Sequence, residues 1–235
     1  MSDDPKDYPS GAELPALGIP AEEQKTIVDL YERLARIDHY ALLGVSATDD
    51  TKTIKRAYYT KAKEHHPDRY FRKDTGSLRP KIDAIFAALA KAEAVLCSKT
   101  ERAAYDAYLS ERLKTRMKRR QAAALEASKS WPQAAEIWAR VVEQLPTDAY
   151  VQHRHAYCLL RAGKDLDHAT AAAQRAIDLD STRAEYRVTA ACLHLAERRD
   201  RMVLAQLAIA VELASDRPDI AGLHAAISAR VATLR

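Results

Sequence analysis

"YYTKAKEHHPDRYFRKD", residues 58–74, carries a charged, helix-forming stretch straight into His65-His66-Pro67-Asp68. Proline lacks the N–H that a helix interior needs and disfavours helical geometry in the residue before it, so the helix must stop at His66. The break sets an imidazole, a rigid ring and a carboxylate side by side, with no serine or cysteine nucleophile, ligand cluster or glycine loop next to them. These residue types in this order describe a point of contact. A His66–Asp68 catalytic dyad is the lesser reading, because a general base needs a group within reach to activate.

Working outward, Ile54, Ala57, Tyr58 and Ala62 share one face of the preceding helix, which Asp50 or Thr51 can cap. On the far side the loop RYFRKDTGSLR leads to Pro80, placed for the first turn of a helix whose stripe is Ile82, Ile85, Phe86, Leu89, Val95 and Leu96. A shorter helix, TERAAYDAYL, closes the region near Leu109. Upstream, Ile27, Leu30, Tyr31, Leu34 and Ile37 recur at three or four residues, predicting an amphipathic helix over 21–37. Residues 1–20, with four prolines and two glycines, predict a disordered acidic tail.

Composition agrees with an all-α chain: 235 residues hold only 6 Gly and 2 Phe among abundant Ala, Leu, Lys and Arg. Cys97, Cys158 and Cys192 form no C-x-x-C pair, which argues against a disulfide framework or a zinc site and suits a reducing compartment. No apolar run reaches membrane-spanning length and the amino terminus has no apolar leader core, so a cytoplasmic protein without membrane contact is expected. No metal or cofactor is expected either. The net charge of +4 conceals −7 over residues 1–50, +11 over 51–120 and zero over 121–235. A basic middle of this kind steers acidic partners.

From residue 110 a basic run, Arg112, Lys114, Arg116, Lys118, Arg119 and Arg120, reads as a linker helix over 110–120, ahead of an alanine-rich half; a continuous helix from Thr100 through Ala127 would make this joint rigid and a break near Ser110 would make it loose. That half repeats: VEQLPTDA, IDLDSTRA and VELASDRP align at Pro146, Ser181 and Ser215, 35 and then 34 residues apart. A period near 34 marks helix-turn-helix units that stack because one alone cannot bury its apolar face.

Residues 38–109 resemble the J domain of DnaJ-type co-chaperones. DHYALLGVSATDDTKTIKRAYYTKAKEHHPDR is similar to that family's first two helices, and IFAALAKAEAVLCSKTERAAYD to its third and fourth, with His66-Pro67-Asp68 in the family's place between them. The chain departs from the pattern at Lys61, where the family has a buried leucine, and at Tyr59 and Thr60, where basic residues are common. No zinc-binding cysteine repeats and no glycine-phenylalanine linker follow. The resemblance implies a four-helix fold that docks on a DnaK-type heat-shock chaperone and stimulates its ATPase, the chain itself being no enzyme. Docking would involve His66, Pro67 and Asp68, together with Lys52, Lys55, Arg56, Tyr58, Lys63 and Arg69. A carboxylate at a loop tip can accept charge-assisted hydrogen bonds from a guanidinium, and a proline keeps that tip preorganised. Lys52, Lys55, Arg56 and Lys63 share the outward side of their helix and could steer an acidic face onto it.

Residues 121–235 resemble three tetratricopeptide units with a capping helix over Pro218 to Leu234. Ala134, Trp138 and Pro146 fall on that family's positions in the first unit. Ala156, Gly163, Ala169 and Ala176 do so in the second, after a one-residue insertion in the turn, and Ala190 and Ala210 in the third, which has no turn glycine. Some tetratricopeptide domains grip a chaperone's terminal carboxylates with paired asparagines and lysines; this chain has no asparagine. A protein client or scaffold is therefore the expected occupant of the repeat face.

Two rival functions belong to other classes. A structural adaptor would keep the J-like fold for shape alone, as Lys61 and Tyr59 would allow. Nucleic-acid binding through the basic run is the weaker rival, since positions 112, 114, 116 and 118 spread around a helix and no aromatic residues stand among them for stacking. His65-His66 and His153-x-His155 point apart on a helix and read as packing or surface residues rather than metal ligands. Trp138 reads as core.

Overall fold

The computed structural model describes residues 18–233, with side chains to residue 229. The predicted tail over 1–20 lies outside the described residues except at its end, where the prediction needs correcting. Ile19 is buried, and the Gly18 N–H donates to the Asp74 carbonyl at 3.0 Å.

The described chain is all-α and divides into two compact units, Met1–Leu109 and Ser110–Arg235. In the first, α1 (Ala21–Leu34) ends three residues before the predicted Ile37. Ile37 instead closes a turn onto the Arg33 carbonyl, because Asp38 is already engaged in capping α2 (His39–Leu43), its side chain accepting the Ala41 N–H. Asp50 caps α3 (Thr51–Glu64) by accepting the Thr53 N–H at 2.8 Å. After Pro67 the chain makes a single 3-10 turn, Pro67–Tyr70, and a second one, Gly76–Leu78, feeds α4 (Arg79–Cys97), with Pro80 in its first turn. Ile82, Ile85, Leu89 and Leu96 of α4 are fully buried, and α1, α2 and α3 all pack on this helix. Ile27, Tyr40, Leu43, Ile54 and Tyr70 complete one apolar core.

The ERAAYD segment fastens α2 and the loop before α3. Arg102 donates to the Ala47 and Asp49 carbonyls at 3.0 and 2.9 Å and to the Tyr40 hydroxyl at 3.1 Å. Tyr40 in turn donates to Asp106 at 2.7 Å, while the Tyr105 hydroxyl accepts the His39 N–H at 2.9 Å.

These residues sit in α5, which runs without interruption over Lys99–Ala127. The predicted stop near Leu109 and the separate linker helix over 110–120 are therefore not what the structure has. The physical reason lies in the sequence: from Thr100 to Ala127 there is no glycine, proline or asparagine, and the residues at the polarity change are strong helix formers.

The second unit is made of helical hairpins. The end of α5 packs with α6 (Trp131–Gln144), and α7 (Ala149–Ala162) with α8 (Leu166–Leu179). The next pair is α9 (Ala184–Ala196) with α10 (Asp200–Leu213), followed by α11 (Pro218–Thr233). Successive starts at Trp131, Leu166 and Asp200 are 35 and 34 residues apart, the period read from the sequence. Alanines at 134, 156, 169, 176 and 210 are fully inaccessible, so the helices close on small side chains. Trp138 is buried and donates its indole N–H to Glu126, which also pairs with Arg154. On α11, Ile220 is buried and Ile227 packs against Val203 and Leu207, whereas Leu223 is exposed.

Candidate docking site

The site forms where α3 stops. His65 is the C-cap residue, its N–H donating to the Lys61 carbonyl at 3.0 Å, and burial holds its imidazole below the usual histidine range. His66 is extended, with φ −65° and ψ 131°, and caps the 3-10 turn: its Nδ1 accepts the Asp68 N–H at 3.2 Å. The same nitrogen lies 3.5 Å from the Asp68 carboxylate, and the ring sets its edge against Phe86 at 4.9 Å. His66 therefore shapes the turn from inside, with its side chain 45% exposed, while the Asp68 side chain is 84% exposed. In a 3-10 turn residues three apart lie over one another. Tyr70 accordingly goes inward with the half-buried Pro67, and Asp68 goes outward with Phe71.

Tyr70 is bolted down. Its hydroxyl donates to Glu23 of α1 at 2.9 Å, and burial, reinforced by that carboxylate, pushes its ionisation up to about 12. Arg69 stays at the surface but shares the same anchor: it pairs with Glu23 at 3.3 Å and donates to the Glu64 carbonyl at the end of α3.

Two adjoining grooves run along α3, and one of them reaches the turn. Tyr58, Tyr59, Ala62, Lys63, His66, Asp68, Arg69 and Phe86 line one; Thr51, Lys52, Lys55, Arg56, Tyr59 and Thr60 line the other. All the sequence-predicted positions except Pro67 thus fall on one of two grooves, and Pro67 builds the turn between α3 and Asp68. Lys52, Lys55, Arg56 and Lys63 are exposed, whereas Tyr58 is half-buried beneath Tyr59, the two rings 5.4 Å apart. Lys61, in the place of a leucine, lies in a third groove beside Leu43 and Gly44, with its Cε 3.8 Å from where a side chain at Gly44 would begin. Its stem packs as a hydrocarbon.

Sequence reasoning missed three contributors. Tyr59, counted only as an absent basic residue, is shared by the two main grooves and its side is 67% exposed. The spacing 52, 56, 59, 63 marks a single helix face and was signal enough to place it. Phe86, read as core, is the surface on which His66 rests. Glu23, 47 residues before Tyr70, left no local signal at all.

Comparison with known proteins bears on this segment directly. Residues 38–106 match the DnaJ domain. Within it the chain is 44% identical over 69 residues to the Curved DNA-binding protein of Salmonella choleraesuis (strain SC-B67) and to that of Escherichia coli O9:H4 (strain HS). Each alignment covers 29% of this chain and 20% of the relative, so the chain matches about a fifth of the length of these curated proteins. Among solved structures, the TPR2B domain of yeast Sti1 in complex with an Hsp70 peptide is similar at 18% identity and TM-score 0.47, covering 50% of this chain and 98% of that one. The TPR2AB domain of the same protein with an Hsp90 peptide gives 15% identity and TM-score 0.45, over 88% of this chain and 80% of the other. The segment that matches the DnaJ domain runs across α2, α3, α4 and the first turns of α5, and α1 lies before it.

Proposed function

We propose that this chain is a J-domain co-chaperone, acting in the cytoplasm. It docks through the α3 face and the His66-Pro67-Asp68 turn on a DnaK-type heat-shock chaperone and stimulates ATP hydrolysis there, while the second unit binds a client or scaffold protein. The observation that carries this reading is the Asp68 carboxylate, 84% exposed at a turn fastened from beneath, with Lys63 on the same groove and Lys52, Lys55 and Arg56 exposed farther back along α3. Lys52, Lys55, Arg56 and Lys63 raise the rate of encounter with an acidic surface. Tyr59 then supplies apolar contact area and Asp68 accepts hydrogen bonds from a cation on the partner. Nothing in the site performs chemistry; the phosphoryl transfer belongs to the partner.

The test is single-turnover ATP hydrolysis by a DnaK-type chaperone with and without the protein. His66→Gln removes the ring that rests on Phe86 and caps the turn, and it should lower stimulation by about tenfold or more with unchanged far-UV circular dichroism. Full stimulation by this variant would sink the reading. Capture of the same proteins by wild type and His66→Gln, with no stimulation by either, would favour a structural adaptor. The basic run on α5 gives nucleic acid less to hold than its composition promised: Lys114 pairs with Glu111 at 2.7 Å, and Arg119 pairs with Asp148 at 3.3 Å and lies over Tyr150.

A further inference from the structure

The docking turn is held from outside the J domain. Residues 18–23 cross the loop that follows α3 and touch it at both ends. At one end the Gly18 N–H meets the Asp74 carbonyl at 3.0 Å, and a side chain at position 18 would start only 3.0 Å from the Asp74 nitrogen. At the other, the Glu23 carboxylate accepts the Tyr70 hydroxyl and pairs with Arg69. Between them Ile19 is buried, and its carbonyl accepts the Gln24 side-chain N–H at 2.8 Å, which fixes the strap to the first turn of α1.

We propose that Glu23 is a positioning residue for the docking turn, and that Arg69 serves the turn rather than the partner. Resting on the co-chaperone reading for its consequence, the argument is geometric. The turn Pro67–Tyr70 is a single 3-10 turn, flanked by Arg69 N–H to the His66 carbonyl at 3.0 Å, Asp68 N–H to His66 Nδ1 at 3.2 Å, Phe71 N–H to the Asp68 carbonyl at 3.2 Å and Lys73 N–H to that of Tyr70 at 3.0 Å. Such a short element does not hold its tilt alone. Glu23 fixes two consecutive residues of it, and Arg69 carries the restraint on to the Glu64 carbonyl at the end of α3. With Tyr70 held on the inner side and Arg69 tied at the surface to Glu23 and Glu64, the three-residue repeat leaves Asp68 pointing out, so less ordering remains to be done when a partner binds.

Two measurements on the full chain test this. Amide hydrogen exchange reports the turn without any partner. Glu23→Ala should speed exchange at Arg69, Phe71 and Lys73 by about tenfold while Ile85 and Leu89 of α4 hold their protection. Glu23→Gln, which can still accept the Tyr70 hydroxyl but has no charge for Arg69, should fall between; Glu22→Ala, which removes a charge from the same helix turn, should change nothing there. Titrating each variant into single-turnover hydrolysis then separates positioning from chemistry. Glu23→Ala should raise the half-saturating concentration by about five- to tenfold with the maximum stimulation kept. Unchanged exchange at the three turn amides in Glu23→Ala overturns the proposal, as does an unshifted half-saturation. Should wild type itself give no stimulation, the co-chaperone reading fails, and the exchange arm still decides whether Glu23 holds the turn.

Discussion

The two units are kept together by opposite means. In the first, large side chains on α4 fill a core of Ile, Leu and Tyr, and a few long polar links, Arg102 to the loop before α3 and Glu23 to Tyr70, fix how its pieces meet. In the second, alanines set the distance between helices, and the same hairpin recurs. The first is a single specified arrangement and presents one turn; the second is a spacing rule applied three times, presenting a surface. An error should therefore cost differently in each.

Truncation is the harshest way to break that contrast. Leu89→Ala in the first unit leaves a cavity in a core made mostly of large side chains, and should cost about 3 kcal/mol. The matching error in the second unit is growth: Ala156→Leu forces apart helices that meet over a fully buried methyl group, and should cost about 2 kcal/mol. Both tryptophans, Trp131 and Trp138, belong to the second unit, so fluorescence-monitored denaturation follows the Ala156 variant and hydrogen exchange in α4 follows Leu89. Little loss from Ala156→Leu would mean that alanine does not set the helix spacing.

The same contrast decides what could be read from the sequence. The first unit announced itself through local chemistry: the break at Pro67, the cap at Asp50, the proline opening α4. The second announced itself only by period, because a buried alanine looks like any other alanine until the spacing is seen. Contacts made at long range by ordinary residues stayed hidden, Glu23 with Tyr70 above all. The continuity of α5 was left open by the sequence. The change from apolar to basic composition falls where the two units divide, but a helix ends on stop signals and none lies between Thr100 and Ala127.

A second kind of effect, absent at neutral pH, sharpens the comparison. His153 is buried in the second unit, its Nε2 2.9 Å from the Thr189 hydroxyl and its ring 4.6 Å from that of Tyr186; burial lowers its pKa to about 4. The unfolded chain, with an ordinary imidazole near 6.5, binds the proton more readily. Stability is therefore complete above about pH 6.5 and falls as the pH drops from there towards 4, by on the order of 3 kcal/mol. Burial moves His155 the same way, and His39 and His65 in the first unit as well. Tryptophan-monitored denaturation at several pH values should show a slope that His153→Gln largely removes. An unchanged slope in that variant would put the acid sensitivity elsewhere.

The smallest effect lies in the hairpin turns, where one rule is met by three sequences. Gly163 has φ 62°, a left-handed conformation that costs glycine nothing. Lys129 and Arg198 hold nearly the same angle, 59° and 58°, each two residues before its next helix, without glycine's freedom. The second turn, one residue longer, places Gly163 three residues before α8 and needs a second left-handed residue, Asp165 at φ 46°, whose side chain caps the helix. A Cβ at Gly163 would meet nothing within 4 Å, so Gly163→Ala isolates the conformational cost, about 1 kcal/mol. Arg198→Gly is the reverse experiment. It relieves the strained angle, loses the unfolded-state advantage of a non-glycine residue, and should gain about 0.5 kcal/mol. Thermal unfolding of the pair should move in opposite directions. If Arg198→Gly destabilises instead, the arginine side chain contributes more at this turn than its backbone angle costs, and the turns of the second unit are individually specified like the links of the first.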